Sequence, residues 1–282
     1  MQRFFTTVGI VIMALALTSC GAINFAYNNA STFVAGEFED AFDLDEAQVE
    51  SLDSALQEFF AWHRRHELPR YQQLLEQAAL AVSDGITAAE FLRLGDDFRA
   101  AWERSLARII DAIAGLSATL TPQQIEHYAQ YYYDDSEKYR DYLAMSAQQR
   151  EIFREQRGLK RLQEWFGNFD ELESKRITLK LRQLPDLRTD WIRYREARQQ
   201  ALLRALKAAS SKGLSPGQLK FILLDPTSEH AQAIEPKRRI YWQAYAQTIE
   251  AISRDLSKAH LNHAVERLQY YAEIVEDLQQ PG

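Results

Sequence analysis

The chain has 282 residues, enough for one large or two modest domains with a substantial hydrophobic core. Its formal net charge is −7 at pH 7, and this acidic balance argues against a nucleic-acid-binding protein, which usually carries a basic surface. The chain contains one cysteine, so an intramolecular disulfide is excluded.

The beginning of the chain has the order of a bacterial export signal. Arg3 makes the start positive, and residues 4–17 form a largely apolar, uncharged run. That run is shorter than the ~20 residues that cross a bilayer as a helix. Leu17, Thr18 and Ser19 then precede Cys20. This order resembles the lipobox of bacterial lipoproteins.

The lipobox resemblance implies cleavage between Ser19 and Cys20, attachment of diacylglycerol to the Cys20 thiol, and acylation of the new amine. Gly21 follows, where an inner-membrane retention signal would place aspartate. The predicted location is therefore the outer membrane, with a stable lipid anchor and a body facing the periplasm. The alternative is an ordinary secretory signal in which Cys20 is incidental.

The predicted organisation has three parts. Residues 1–19 form the signal peptide, 20–43 a lipidated tether, and 44–282 a helical domain, with two subdomains at about 44–168 and 169–282 as an option. The tether assignment rests on residues without a sustained helical period. Treated as a flexible coil, such a tether has a reach of roughly 25 Å.

Beyond the tether, apolar residues follow helical spacing almost throughout. Five predicted helix starts carry a capping box, in which a short polar side chain is followed three positions later by Gln or Glu. The boxes are Asp45/Gln48, Thr87/Glu90, Thr121/Gln124, Ser146/Gln149 and Ser215/Gln218. Helices are predicted at 45–67, 70–83, 87–118, 122–143, 146–166, 170–183, 187–211, 215–223 and 237–278. The predicted fold is all-α, an irregular bundle of long helices behind a lipidated N-terminal tether.

Two histidine pairs are candidate metal ligands. His63 and His66 are three residues apart, as are His260 and His263, so each pair shares a helix face. Two such faces in contact would supply four nitrogen ligands. Neither pair fits a zinc or di-iron motif, however, so no metal and no other cofactor is predicted. The four histidines remain the alternative metal site.

Known catalytic motifs are missing from the sequence. It contains no Gly-x-Ser-x-Gly elbow, no glycine-rich phosphate loop and no thiol after Cys20. The prediction is therefore a non-enzymatic interaction module that binds an envelope protein or peptidoglycan. The alternative is an enzyme or metal-binding helical protein whose site is assembled from scattered residues.

Two aromatic stretches are the candidate contact regions, because interface hot spots favour Trp, Tyr and Arg. In the Trp62–Tyr71 segment the candidates are Trp62, Arg65 and Tyr71. In the Tyr128–Tyr142 stripe, which follows helical spacing broken at Asp135, they are Tyr128, Tyr132 and Tyr139. A tyrosine stripe is more often core with solvated hydroxyls, and that interpretation is favoured for the stripe.

A row of arginines follows one face of the helix predicted at 146–166. Its members are Arg150, Arg154, Arg157 and Arg161. Such a face could meet anionic glycan or lipid head groups. Glutamates are interleaved with it, namely Glu151, Glu155 and Glu164. The favoured interpretation is accordingly a solvated face with salt bridges along the helix.

Several segments together resemble a family of proteobacterial lipoproteins known as a domain of unknown function. They include Tyr27-Asn28, the Ala61–Tyr71 stretch, Lys138-Tyr139, Glu164–Gly167 and Trp191-x-x-x-Arg195. The resemblance covers nearly the whole mature chain. It implies a helix-rich, lipid-anchored envelope protein, supplies no activity, and transfers no functional residue other than the lipidated cysteine.

Overall fold

The computed structural model describes residues 20–209 and 212–280, and in these ranges the chain forms helices and no strand. The predicted all-α fold is confirmed. The predicted signal peptide lies outside the described residues. The helices are α1 (Cys20–Asn28), α2 (Ala30–Phe42), α3 (Glu46–His66), α4 (Leu68–Val82), α5 (Ala88–Thr119), α6 (Pro122–Ala144), α7 (Ala147–Phe166), α8 (Glu171–Arg182), α9 (Arg188–Ala209), α10 (Pro216–Leu224), α11 (Glu229–Gln232), α12 (Glu235–Asp255) and α13 (Lys258–Asp277). No helix in the described ranges is long and apolar enough to cross a bilayer.

The predicted capping boxes are all present at the starts of α3, α5, α6, α7 and α10. At α5 the Glu90 amide donates to the Thr87 hydroxyl at 3.2 Å, and the Glu90 carboxylate accepts from the Thr87 amide at 2.9 Å. A sixth box, Asp170/Glu173, starts α8 and was not predicted. These pairs satisfy amides that have no partner inside the helix.

The prediction of one helix over 237–278 is wrong. Two helices, α12 and α13, cover this range, and the chain breaks at Leu256. The break is stabilised by Ser257, whose hydroxyl accepts a hydrogen bond from the His260 amide at 3.4 Å. Sequence reading missed this cap because no Gln or Glu stands three positions later.

The prediction of an irregular tether over 20–43 is also wrong, since α1 and α2 occupy this segment. Helix α2 contacts α3 and α6, and its apolar face is buried. The buried residues include Val34, Ala35, Phe38 and Phe42. No side chain caps the start of α2, so the helix is held by packing rather than by a local signal.

Two main hydrophobic cores hold the bundle together. The first joins α2, α3, α5, α6, α9 and α10, with Leu52, Ile110 and Leu202 among its members. The second joins α4, α5, α7, α8, α12 and α13 and includes Leu74, Leu94 and Ile252. Each core draws residues from both sides of position 168, so the cores do not follow the optional subdomain division there.

The connection between α9 and α10 packs tightly on the end of α5. Gly213 has a φ of +64°, and a β-carbon at this position would lie 2.6 Å from backbone atoms of Ala118. The next amide, that of Leu214, donates to the Ser117 hydroxyl at 2.8 Å. Only glycine fits here, because it permits both the left-handed backbone and the close approach.

Candidate functional site

The Trp62–Tyr71 segment forms the junction between α3 and α4. Helix α3 ends at His66, and α4 begins at Leu68 with Pro69 in its first turn. Proline is well tolerated there, because the first helical amides lack an acceptor in any case. Glu67 links the two helices, and its side chain is completely buried.

The buried Glu67 carboxylate is held by two arginines. Arg104 of α5 donates two parallel hydrogen bonds to it, at 2.9 and 2.8 Å, and Arg70 of α4 donates a third at 2.6 Å. Burial alone would raise the pKa of Glu67, but the hydrogen bonds and charges of Arg104 and Arg70 bring it below its ordinary value. The group is therefore an ionised carboxylate inside the protein, paired on both sides.

His63 lies one turn before Glu67 and is held neutral. The Tyr27 hydroxyl is 2.9 Å from His63 Nδ1. Burial lowers the pKa of His63 to about 4, against the opposing influence of the Glu67 charge. Burial also raises the pKa of Tyr27, so the phenol keeps its proton and donates it to the unprotonated Nδ1.

Arg64 ties the junction to both ends of the described chain. Its guanidinium donates to the carbonyls of Leu278 and Gln280, at 2.6 and 2.7 Å, and to the Asn28 side chain at 2.7 Å. The same group lies 5.0 Å from the Tyr27 ring centroid, a cation–π distance. The α3–α4 junction, α1 and the end of α13 are thus fixed together.

The three candidate contact residues of this segment differ in accessibility. Arg65 is exposed, whereas Trp62 and Tyr71 are half-buried. The Tyr71 ring stacks on Phe98 of α5 at a centroid distance of 5.8 Å and also lies near His63. Trp62 and Arg65 are therefore the parts of the segment best placed to meet a partner.

The tyrosine stripe of α6 mainly forms core, as the favoured interpretation predicts. Tyr128 is 1% exposed, stacks on Phe42 at 4.1 Å and contacts the Gln199 amide. Tyr139 is also buried, while Tyr132 is half-buried. Tyr128 and Tyr139 therefore cannot offer a docking surface, which corrects their place among the candidate contact residues.

The polar side of the stripe faces Arg195 of α9. This arginine is 4% exposed and pairs with Asp135 at 2.6 Å. It also donates to the Ser136 and Tyr132 hydroxyls, at 2.9 and 3.0 Å, and lies 4.8 Å from the Tyr139 ring. Asp135 interrupts the stripe because it is the counter-ion of Arg195. The sequence showed the interruption but not the partner, which is 60 residues away.

The alternative metal site is not assembled. His63 and His66 end α3, beside the C-terminal end of α13 where Arg64 binds. His260 and His263 lie in the first turns of α13, roughly 20 Å away at 1.5 Å per helical residue. His260 instead contacts the Phe166 carbonyl at 2.8 Å. Within the described ranges, no group of three or more His, Cys, Asp or Glu side chains could hold a metal ion.

The arginine face of α7 differs from the favoured interpretation. Glu151 and Glu155 do not pair with arginines of their own helix but with Arg182 of α8, at 3.0 and 2.6 Å. Arg150 and Arg154 share a single carboxylate from the α8–α9 loop, that of Asp186, at 3.8 and 3.3 Å. Glu151 and Glu155 therefore pair with the neighbouring helix α8 and not with the arginines of α7.

These features define an all-α protein whose long helices are joined by buried ion pairs and stacked aromatic rings. The chain belongs to a family of unknown function, DUF6279, whose model matches residues 40–232. The matched part contains both buried networks, those of Glu67 and Arg195. Comparisons with curated proteins and with solved structures found no match.

Proposed function

We propose that this protein is a lipoprotein of the outer membrane whose helical body binds a protein or cell-wall partner in the periplasm without catalysing a reaction. The observation that carries the proposal is the sequence order at the start of the chain. A positive residue, an uncharged apolar run and Leu17-Thr18-Ser19 precede Cys20. Cys20 is the attachment point for the lipid.

The packing of α1 supports a short, rigid attachment. Cys20 is the first described residue of α1, and Ile23 already packs against Leu68, Ile274 and Leu278. Three helical residues advance about 4.5 Å, far less than the reach of a flexible tether. A lipid on Cys20 would accordingly keep the α3–α4 junction and the end of α13 close to the bilayer surface.

Two exposed aromatic rings near the anchor fit this arrangement. Phe25 is 63% exposed and Phe33 is 41% exposed, and their ring centroids are 6.3 Å apart. Phe25 lies on α1 opposite the buried Ile23, since two residues turn a helix by about 200°. Exposed phenylalanine beside a lipid anchor suits the boundary between head groups and acyl chains.

The body would meet its partner through the last turns of α3. The Trp62 ring lies 6.0 Å from Phe59 and 5.8 Å from His66, so it is held in place before binding. Arg65 is exposed beside it. A rigid tryptophan next to an arginine is the composition that binding hot spots favour.

The anchor is tested by labelling cells with a palmitate analogue. Cys20→Ser removes the thiol that takes the lipid, so labelling and outer-membrane fractionation should both be lost. Ser19→Ala keeps a small residue before the cysteine and should label like the parent protein. Full labelling and membrane retention of the Cys20→Ser protein would exclude lipidation at this residue.

The contact surface is tested by crosslinking in intact cells followed by mass spectrometry. Trp62→Ala should weaken the crosslinks while the melting temperature changes little, because the ring is only half-buried. The matched control is Phe221→Ala, which removes an exposed aromatic side chain from α10. If both variants crosslink equally well, the end of α3 is not the contact surface.

A further inference from the structure

Three arginines follow one face of α7, and a fourth, at the start of α9, stacks on Phe153 of the same helix. Arg154, Arg157 and Arg161 come from α7, and Arg188 comes from the first turn of α9. Partial desolvation, and then the charges of Arg188 and Arg161, lower the pKa of Arg157. We refer to these four residues as the arginine cluster.

The carboxylates around the arginine cluster do not balance it. Asp186 accepts from Arg154 but also receives the Tyr142 hydroxyl at 3.2 Å and the Thr189 hydroxyl at 3.1 Å. Glu164 attracts Arg157, and Glu155, which pairs with Arg182, also attracts Arg154. Three carboxylates therefore face four arginines, and two of the three, Asp186 and Glu155, are shared with other donors.

Three members of the cluster have no salt bridge. Among residues 20–209 and 212–280, no carboxylate pairs with Arg157, Arg161 or Arg188 at ion-pair distance, although α7 carries three glutamates. Arg157 and Arg161 are exposed, so a ligand can reach them from solvent. The guanidinium N–H groups of Arg157 and Arg161 can therefore donate hydrogen bonds to a ligand.

Arg188 is held in a fixed position beside them. Its guanidinium lies 4.8 Å from the Tyr142 ring and 5.4 Å from the Phe153 ring. These two ring contacts fix the Arg188 guanidinium on the side of α7 that carries Phe153, one turn before Arg157.

Two tyrosines of α12 lie within electrostatic range of the cluster. Tyr241 of α12 is half-buried, and the charges of Arg161 and Arg154 act on it by lowering a pKa that burial otherwise raises. Arg161 acts in the same way on Tyr245, one helical turn further on. The Tyr241 hydroxyl therefore lies near the cluster and can donate a hydrogen bond to an anion.

We propose that Arg157, Arg161 and Arg188, with Arg154 and Tyr241 at the rim, form a binding site for a phosphate group of a ligand. The guanidinium fork matches phosphate oxygens, and several forks can bind one phosphate at once. A phosphate monoester carries nearly two negative charges at neutral pH and a phosphodiester carries one, and either would offset excess positive charge of the cluster. The shared chemistry is a phosphate, carried either by a soluble ligand or by a lipid head group.

Pyrophosphate is the probe for the site itself. In calorimetric titration the protein should bind pyrophosphate, and its melting temperature should rise with pyrophosphate concentration. Arg157→Gln/Arg161→Gln should weaken the binding at least tenfold. The matched control is Arg99→Gln/Arg140→Gln, which removes the same charge from two exposed arginines that are each paired with a neighbouring acid. This control should bind like the parent protein.

The same variants also test whether the arginines of the cluster repel one another when no ligand is bound. Without pyrophosphate, Arg157→Gln/Arg161→Gln should melt at the same temperature as the parent protein or higher, because it removes repulsion between like charges. A folded variant with normal pyrophosphate affinity would overturn the proposal. So would a parent protein that binds no pyrophosphate, or a control pair that loses binding equally.

Vesicles distinguish the two sources of phosphate. The Cys20→Ser protein is used so that no acyl chain carries it to the membrane. If a lipid head group is the ligand, it should sediment with phosphatidylglycerol vesicles more than with phosphatidylcholine vesicles, and the cluster variant should remove the difference. If the ligand is soluble, pyrophosphate binds but vesicle sedimentation is the same for the variant and its control.

Discussion

The Glu67 carboxylate at the α3–α4 junction accepts hydrogen bonds from two donors of the Arg104 guanidinium, Nε and Nη2, which reach it from the middle of α5. The two residues are 37 positions apart in the chain. The pair therefore fixes how the α3–α4 hairpin lies against α5. Glu67 is fully buried, whereas Arg104 is 40% exposed. A partly solvated guanidinium therefore balances the charge of a carboxylate that water cannot reach.

Replacing Arg104 by alanine should destabilise the fold by about 2 to 3 kcal/mol, because the buried carboxylate then keeps only Arg70 as a partner. Arg99→Ala on the same helix removes an exposed pair with Asp96 and should change stability by less than about 0.5 kcal/mol. Urea unfolding measures both. Equal losses for the two variants would show that the Glu67 pair contributes no more than a surface salt bridge.

Arg195→Met should cost about 3 kcal/mol, since it leaves the Asp135 carboxylate buried with only the Lys138 ion pair and removes the donor of the Tyr132 and Ser136 hydroxyls. Arg193→Met, an exposed change two residues earlier, is the control and should be nearly neutral. Denaturant unfolding again gives the comparison. A stable Arg195→Met protein would mean that methionine packing replaces the ion pair fully.

Phe42→Ala should destabilise the protein by about 3 to 4 kcal/mol, because the ring stacks between Phe38 and Tyr128 in the first core. Phe25→Ala is the matched control: it removes the same ring from an exposed position and should cost under about 0.5 kcal/mol. Thermal and chemical melts distinguish the two. If Phe42→Ala is also harmless, residues 30–42 are not part of the folded body.

Stability should fall as the pH drops from about 6.5 towards 4, and His63 should account for part of this loss. The pKa of His63 is lowered in the folded state to about 4 from 6.5, so between these values the unfolded chain binds the extra proton. The contribution is complete above pH 6.5 and lost on acidification, by about 2 to 3 kcal/mol at pH 4.

The His63 contribution is isolated by substitution. His63→Gln keeps an acceptor for the Tyr27 hydroxyl but cannot take up a proton, so its stability should depend less on pH in this window. His66→Gln, an exposed change on the same helix, should leave the pH dependence unaltered. Urea unfolding at pH 7 and pH 4 gives the differences. A His63→Gln profile parallel to that of the parent protein would contradict the buried neutral histidine.

The sequence predicts those parts of the fold that local signals specify. A capping box lies within four consecutive residues, so the sequence alone predicts the starts of α3, α5, α6, α7 and α10, and each box is present. Helices α1 and α2 were missed because their segment is rich in aromatic and small residues and lacks a side-chain cap. Their helicity depends on packing against distant helices, which local spacing does not reveal.

The candidate sites depend even more than helices α1 and α2 on contacts between residues that are far apart in the chain. The sequence drew attention to Trp62–Tyr71 and to the break at Asp135, but the partners Arg104 and Arg195 lie 37 and 60 residues away. For the arginine face of α7, spacing along the helix predicted internal salt bridges. The structure instead pairs two of the glutamates with Arg182, a choice set by the neighbouring helix.

The most direct test of this account is the mass of the N-terminal peptide of the protein isolated from its membrane. The lipoprotein assignment predicts that the mature chain begins at Cys20 and that this residue carries diacylglycerol on sulfur and a further acyl chain on its amine. Proteolysis and mass spectrometry of the lipid-soluble fraction should recover this peptide. An unmodified Cys20, or a mature chain that begins at another residue, would contradict the central claim.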